Sequence, residues 1–425
     1  LNLGKICIIN MVMIIRNYGV DFSNHVDEMG ENLSLSVGNT IEFRYKIIHN
    51  YLISLFTVLR GRANMEYFVY MTNDCNLKCE YCSVLLDCEK NNLPIKPAYS
   101  NGELIEFIKQ TQMLTGDNEI SIYFFGGEPS LEYDDIERLI DIAKKELSSF
   151  SLKFVLHTNG LRLDVLPDKI LNELTLIMFS INYEKIPHHI LHPSYFSTII
   201  DNALSIKERR PIPIIARLTV TEKTSIFTEL LQVSNFFDYV YWQIENCDTF
   251  NNATVFKNTY IYEVEKTFEY WLKYLEQGVM LKYIPFMAVL KFMFFHDRND
   301  NEFSCGYSRG MIYIQTNGMC YACSDNVEGN VHYMGDIHKG VTLPHHKLTE
   351  FKCNKCPYRS LCMGRCGRMH VEFSIEHIND YCQMNQAMFK LFLNNKELLE
   401  QIIERNPTFK DELENWILEY TEFTP

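Results

Sequence analysis

Three cysteines, Cys75, Cys79 and Cys82, stand in the run MTNDCNLKCEYC, and no fourth joins them at matching spacing. Thiolates are the ligands of soft metals and of iron-sulfur clusters. Four irons held by three thiolates leave one iron without a protein ligand, and a small molecule can occupy that corner as it does the open position of a catalytic zinc. A zinc site is the competing reading, but zinc motifs usually pair two C-x2-C units and this triad has no second pair nearby. Cys88 breaks the spacing and reads as a packing thiol. Of the 14 cysteines, eight lie between Cys305 and Cys382, too unevenly placed for a disulfide scaffold. Unpaired thiolate ligands need a reducing compartment, which points to the cytoplasm.

The elements that must position these thiols follow from periodicity. From Met65 onward, β-rich runs at 67–72, 120–125, 153–158, 176–181, 212–220 and 239–245 alternate with amphipathic stretches at 102–115, 132–148, 165–174, 196–209, 224–236 and 257–278. Repeated βα units predict an α/β fold, a partial (β/α)6 TIM-like barrel short of the usual eight units. The triad then falls in the loop after the first strand, at the carboxyl end of the barrel where such folds place their chemistry. The expected organisation is an N-terminal extension at 1–64, the barrel at 65–296, a C-terminal cysteine-rich iron-sulfur domain at 297–390 held by its ligands more than by a core, and a helical tail at 391–425. The apolar run ICIINMVMII is only ten residues long, too short to span a bilayer. A formal net charge of -14 speaks against a nucleic-acid footprint. The expected partners include neither nucleic acid nor membrane.

C-x3-C-x2-C after a first strand, with Tyr81 just before the last cysteine, resembles the signature of the radical SAM superfamily. The resemblance implies that S-adenosylmethionine chelates the open iron and is cleaved reductively to methionine and a 5′-deoxyadenosyl radical. Further strand ends fit it. GGEPS ends the second strand; Gly126 and Gly127 permit close backbone approach, and Glu128 offers a carboxylate to an ammonium group. Thr158 and Asn159 end the third strand, and Ser180 and Asn182 the fourth, where the family uses small polar side chains for ribose and methionine. Arg217, inside the apolar strand IPIIARLTV, needs a partner, and the family often sets such an arginine against the methionine carboxylate. Where relatives commonly read Ser-x-Asp-Gly after strand four, this chain has Ser180, Ile181, Asn182 and Tyr183.

The later cysteines resemble the SPASM domain, the extension that carries auxiliary 4Fe-4S clusters in peptide-modifying radical SAM enzymes. Cys305 is followed by Gly318 and Cys323, then by Cys353, Cys356, Cys362 and Cys366 as C-x2-C-x5-C-x3-C, and finally by Cys382. The resemblance implies three clusters in all, one binding S-adenosylmethionine and two auxiliary. It assigns Cys305, Cys323 and Cys366 to the first auxiliary cluster and Cys353, Cys356, Cys362 and Cys382 to the second. Some relatives place a further cysteine about six residues after the opening one, where Met311 stands here. Either Cys320 substitutes or the first auxiliary cluster keeps an open iron. Two zinc sites are the alternative content of the same thiols.

The expected activity is modification of a ribosomally made peptide or protein, by a thioether or carbon-carbon crosslink or by side-chain oxidation, with the auxiliary clusters accepting electrons. A leader peptide on the substrate and a small electron donor such as ferredoxin or flavodoxin are the implied partners. TNDCNLKCEYC, ARLTV, DYVYWQIE and IPFMAVL also look like an archaeal-type branch of peptide-modifying radical SAM proteins. Anaerobic sulfatase maturases, which oxidise Cys or Ser to formylglycine, are the competing enzyme; they carry an aspartate right after the cysteine corresponding to Cys323, whereas here Ser324 precedes Asp325. Gln243 and Glu245, at the end of the sixth strand, could orient peptide amides or take a proton, or simply close the barrel edge. His188, His189 and His192 follow the fourth strand as solvated loop residues or substrate contacts. The stretch EFRYKIIHNYLISLFTVLRG could be a remnant of a leader-binding module. A non-catalytic iron-sulfur electron carrier is the alternative from another class.

Overall fold

The computed structural model describes residues 65–182, 195–295, 303–307, 310–325, 331–342, 351–414 and 424–425. The chain divides into two compact units, Leu1–Phe56 and Thr57–Pro425, and the described residues lie in the second. The extension at 1–64 and the histidines at 188, 189 and 192 lie outside the described residues.

Six parallel strands follow one another in sequence order: β1 (Met65–Thr72), β2 (Glu119–Gly126), β3 (Ser151–Thr158), β4 (Leu174–Ser180), β5 (Ile214–Val220) and β6 (Tyr239–Ile244). Every residue of β1 is buried, as expected of a parallel strand covered on both faces. The connecting helices are α1 (Ser83–Asn91), α2 (Asn101–Thr115), α3 (Tyr133–Glu146), α4 (Asp168–Leu171), α5 (Tyr195–Arg209), α6 (Ile226–Val233), α7 (Ala253–Glu276) and α8 (Ile284–Phe294). Their limits have local causes. Helix α2 starts on a Ser100–Glu103 capping box and stops at Gly116, whose φ of 69° suits a residue without Cβ. Helix α3 buries Ile136, Leu139, Ile140 and Ala143, the single stripe of an amphipathic helix. The stretch expected as a helix over 165–174 keeps only α4, because Pro167 begins it afresh after a 3-10 turn. Helix α8 is buried all round, so its sequence carries no helical period to read.

The sheet does not end with the barrel. Strand β7 (Met311–Ile314) runs parallel to β1, with Phe68 opposite Tyr313, and β8 (Met319–Tyr321), β9 (Tyr333–Asp336) and β10 (Gly340–Val341) continue antiparallel. The order is β10-β9-β8-β7-β1-β2-β3-β4-β5-β6. The cysteine-rich segment therefore shares the barrel's sheet, and Phe303, Tyr307, Ile312 and Ile314 bury apolar surface there as well as any ligands would. On the inner face the Phe68 ring stacks 4.2 Å from Tyr123 and 4.4 Å from Tyr313. Short elements α9 (Arg359–Cys362) and α10 (Gly367–Glu372) then lead into α11 (Ile375–Asn394), α12 (Lys396–Arg405) and α13 (Pro407–Glu414). Among the described residues no helix is long and apolar enough to cross a membrane.

Candidate functional site

The triad loop is clamped from three sides. Asn73 Nδ2 donates to Pro94 O at 2.9 Å and to Thr316 Oγ1 at 2.7 Å, and Asn159 Nδ2 donates to Asn76 Oδ1 at 2.7 Å. The third side is backbone against backbone: Gly127 N donates to Thr72 O and Glu128 N to Asp74 O, both at 2.8 Å. A Cβ on Gly126 would lie 2.3 Å from Thr72 O, and one on Gly127 2.1 Å from Asp74 O. The two glycines thus let the end of β2 lie directly along the cysteine loop. Burial first, and then Glu128, Cys82 and Cys79, push the Cys75 thiol up to about 12 against a lowering contact from the Leu77 amide. Burial, with Cys82 beside it, pushes Cys79 up to about 11. The three thiols are electrostatic neighbours on one loop.

Glu128 lies beneath this loop, 1% exposed. Its Oε1 accepts from Ser130 N at 3.0 Å and Thr158 Oγ1 at 2.7 Å, and its Oε2 from Asn159 N at 2.7 Å. Burial raises its carboxyl pKa, and these donors offset the rise. Expected to meet an ammonium group, Glu128 already uses three of about four acceptor positions to join β2 to β3. Asn182 is similarly engaged: its Oδ1 accepts from Thr219 N at 3.3 Å and its Nδ2 donates to Thr219 O at 3.1 Å, so the side chain prolongs the β4–β5 ladder. Ser180 is exposed at the end of β4, opposite Arg217 in the sheet register.

Cys305, Cys323 and Cys366 surround Tyr307, whose hydroxyl pKa is raised by burial first and then by all three thiols. Cys366 falls to about 6, chiefly through the Cys305 hydrogen bond, with the Arg365 charge, the Met369 amide and Asn246 helping against burial. A chain of polar contacts wraps this trio. Tyr307 Oη meets His332 Nδ1 at 2.8 Å, His332 Nε2 meets Glu372 at 2.7 Å, Glu372 accepts from Arg368 Nε at 2.5 Å, and Arg368 lies 3.7 Å from Asp325. Asn246 Nδ2 bridges Asp325 at 3.3 Å and Cys366 Sγ at 3.5 Å.

A cavity of about 780 Å³ is lined by Cys82 of the triad and by all three thiols of the trio. Its wall contains Cys82 and Tyr81 at one end, Cys305, Cys323 and Cys366 at the other, and Arg217, Gln243, Glu245 and Asp325 between them. Arg217 donates to Gln243 Oε1. Its lining residues come from both β5 and β7, five strand spacings apart. On a flat sheet that would be about 24 Å. The sheet must curl around the cavity as a partial barrel does. A second cavity of about 30 Å³ is lined by Cys353, Cys356, Cys362 and Cys382 with Tyr358, Tyr381 and Phe389.

Cys320 corrects an expectation. It is fully buried on β8, opposite Ile314 and Gly335, and burial first, then the Asp336 charge, raises its thiol pKa. It lines neither cavity, because the sheet register turns it away from the trio. Cys88 Sγ contacts Leu93 O at 3.7 Å. Sequence reasoning missed Thr219, Asn246, Cys247 and Arg368, all in the large cavity's wall. Two were within reach: Asn246 and Cys247 directly follow the strand-end pair already singled out.

Residues 69–195 match the family model of the Radical SAM superfamily. The chain carries a radical SAM domain. An uncharacterized protein of Methanocaldococcus jannaschii, MJ0907, is 34% identical over 92 residues, 21% of this chain and 28% of that relative. The matched stretch thus spans under a third of that relative's length. Among solved structures, anSMEcpe with bound AdoMet is similar at a TM-score of 0.64, covering 84% of this chain and 100% of that one at 17% identity. Native anSMEcpe with bound AdoMet and the Cp18Cys peptide is similar at 0.59, covering 81% and 99% at 16% identity. Identities this low show a shared fold.

The thiols of the radical SAM domain suit a cluster better than a single ion. Among the described residues no three His, Cys, Asp or Glu side chains close on the spacing that one shared metal ion needs. A cubane binds each thiolate through a different iron, so its ligands stand farther apart than those of one zinc, whose Zn–S bonds are about 2.3 Å. The raised thiols would deprotonate on binding iron, which makes loading pH-dependent.

Proposed function

We propose that this chain is a radical SAM enzyme that modifies a peptide or protein, with Cys75, Cys79 and Cys82 holding the cluster that binds S-adenosylmethionine. The reading assigns Cys305, Cys323 and Cys366 to one auxiliary 4Fe-4S cluster and Cys353, Cys356, Cys362 and Cys382 to another. One observation carries it: Cys82 of the triad lines the same cavity as the trio, with Arg217, Gln243, Glu245 and Asp325 in its wall. A volume of about 780 Å³ suits a nucleoside-sized cosubstrate with a substrate side chain beside it.

Bound at the triad, the cluster and S-adenosylmethionine supply a 5′-deoxyadenosyl radical able to take hydrogen from an unactivated carbon. The chain's own residues supply position and proton handling. Arg217, steadied by Gln243, presents a guanidinium to a carboxylate at the cavity's barrel end. Tyr81 and Thr219 stand beside it. Asp325, oriented by Asn246 and Arg368, takes the proton released as the substrate radical is oxidised. Phe125, Tyr241 and Tyr313 give the cavity apolar walls. Cys320 takes no part, which leaves the first auxiliary set at three thiolates. A ferredoxin or flavodoxin is the electron donor in this reading.

Anaerobic reconstitution should yield about 12 Fe per chain and, with dithionite and S-adenosylmethionine, 5′-deoxyadenosine. Short peptides encoded beside the gene should lose two hydrogens on incubation, as seen by mass spectrometry. Oxidation of a cysteine to formylglycine would lose two hydrogens and also exchange sulfur for oxygen. A fully loaded protein that takes up electrons yet forms no 5′-deoxyadenosine overturns the enzyme reading in favour of an electron carrier.

A further inference from the structure

Among the described residues, Arg365 is the one that lines both cysteine cavities. It sits between Cys362 of the four-cysteine set and Cys366 of the trio, and its charge acts on the thiols of both. The side chain is 6% exposed. Its guanidinium donates to Ile244 O at 2.9 Å, Asn246 Oδ1 at 3.3 Å and Pro425 O at 2.5 Å, and its Cζ stands 4.4 Å from the Tyr381 ring centre. Among the described residues no Asp or Glu side chain accepts from it, and a cation buried in this way favours nearby negative charge.

The backbone adds a second, independent observation. Met363, Gly364 and Arg365 have φ of 49°, 71° and 57°, three left-handed residues in succession. At Arg365 a glycine would take this conformation freely, whereas a residue with a Cβ is disfavoured there. A long cation held in a position that suits glycine points to a task for the side chain.

We propose that Arg365 is a shared positive charge that raises the reduction potentials of the clusters held by both cysteine sets. Each cluster ligated by thiolates is anionic and becomes more so on taking an electron, and a buried cation between two such groups favours the reduced form of each. This rests on the cluster assignment above. Arg365 is thus a positioning residue for charge and touches no substrate.

Potentiometric titration followed by electron paramagnetic resonance tests it on the reconstituted full chain. In R365Q the one-electron reduction equilibrium of both auxiliary signals should fall about tenfold, which is about 59 mV. The triad signal, away from Arg365, should stay within a third of that shift. R365K, which keeps the charge but loses the planar fork, should hold both potentials near wild type. Should R365Q fail to load iron, N246D places a carboxylate beside the intact guanidinium from the large-cavity side. Asn246 does not line the small cavity, so a lowered potential at the second auxiliary cluster can then come only through charge. A brace that merely ties α9 and α10 to β6 would lower stability in R365Q and leave every potential unmoved, and that result overturns the proposal. A wild-type chain without auxiliary signals sinks both readings together; full signals with unmoved potentials in R365Q and N246D sink this one alone.

Discussion

The large cavity has a volume of about 780 Å³ and the small one about 30 Å³, yet both have cysteines in their walls. The large one mixes five thiols with carboxylates, amides and guanidinium groups. The small one closes four thiols under Tyr358, Tyr381 and Phe389, with space for little more than a water. The same ligand chemistry is thus set in two surroundings. One has room for a reacting molecule and groups that can hold it; the other has not. The difference teaches that cysteine spacing alone does not separate a chemical site from an electrical one.

The comparison breaks most completely at the triad. Replacing Cys75, Cys79 and Cys82 together by alanine should abolish 5′-deoxyadenosine formation and remove about 4 Fe per chain while both auxiliary sets stay loaded. Iron analysis and chromatography of the quenched reaction read both outcomes. Persistent 5′-deoxyadenosine would move the radical chemistry away from the barrel mouth.

Within the large cavity, Asp325→Asn should cut peptide product by about 100-fold or more while 5′-deoxyadenosine continues to form, as loss of a general base would. Product measured by mass spectrometry against 5′-deoxyadenosine in the same reaction decides it. Equal loss of both would mean that Asp325 supports the fold or the cofactor rather than the proton transfer. The small cavity should answer to packing. Phe389 is 1% exposed and lines it, so Phe389→Ala should lower stability by about 3 kcal/mol and loosen the second auxiliary cluster, without changing cleavage of S-adenosylmethionine. Denaturant midpoints with iron counts test this; unchanged stability with intact iron would show that the thiols, not the aromatic lid, hold this region.

Much of this contrast was legible in the sequence. The six parallel strands and the triad's place after β1 followed from alternating apolar runs, because a buried parallel strand must be apolar along its length. The resemblance to the SPASM domain divided seven of the C-terminal thiols into two sets, and the members of each set line one cavity. Three things were not legible. Strand β7 pairs with β1 across more than two hundred residues of sequence, and no local pattern encodes that partner. Glu128 and Asn182 have the right chemistry for a cofactor, and no local pattern shows that neighbouring strand ends engage three acceptor positions of Glu128 and one donor and one acceptor of Asn182. The exclusion of Cys320 rests on sheet register, which a one-residue shift would have reversed.

The smallest effect separates Glu245 from Asp325 in the large cavity. Glu245 is held by its backbone, its N donating to Val220 O at 2.9 Å and its O accepting from Tyr381 Oη at 2.6 Å, so its side chain is delivered into the wall by β6. Burial, with the Glu222 charge second and Lys223 opposing, raises its carboxyl pKa above the ordinary range. It therefore begins to protonate at a higher pH than a solvated glutamate would, and loses its negative charge as pH falls through that raised value. If Glu245 grips peptide amides or an ammonium group, KM should rise as pH falls toward that value while kcat holds. Glu245→Gln should then raise KM by about tenfold, the worth of one hydrogen bond to a charged group, and flatten its pH dependence. Initial rates between pH 5 and 8 for wild type and E245Q measure it. A kcat lost about 100-fold in E245Q, beside a D325N enzyme that still makes product, would exchange the two roles and place the proton transfer at the barrel's edge.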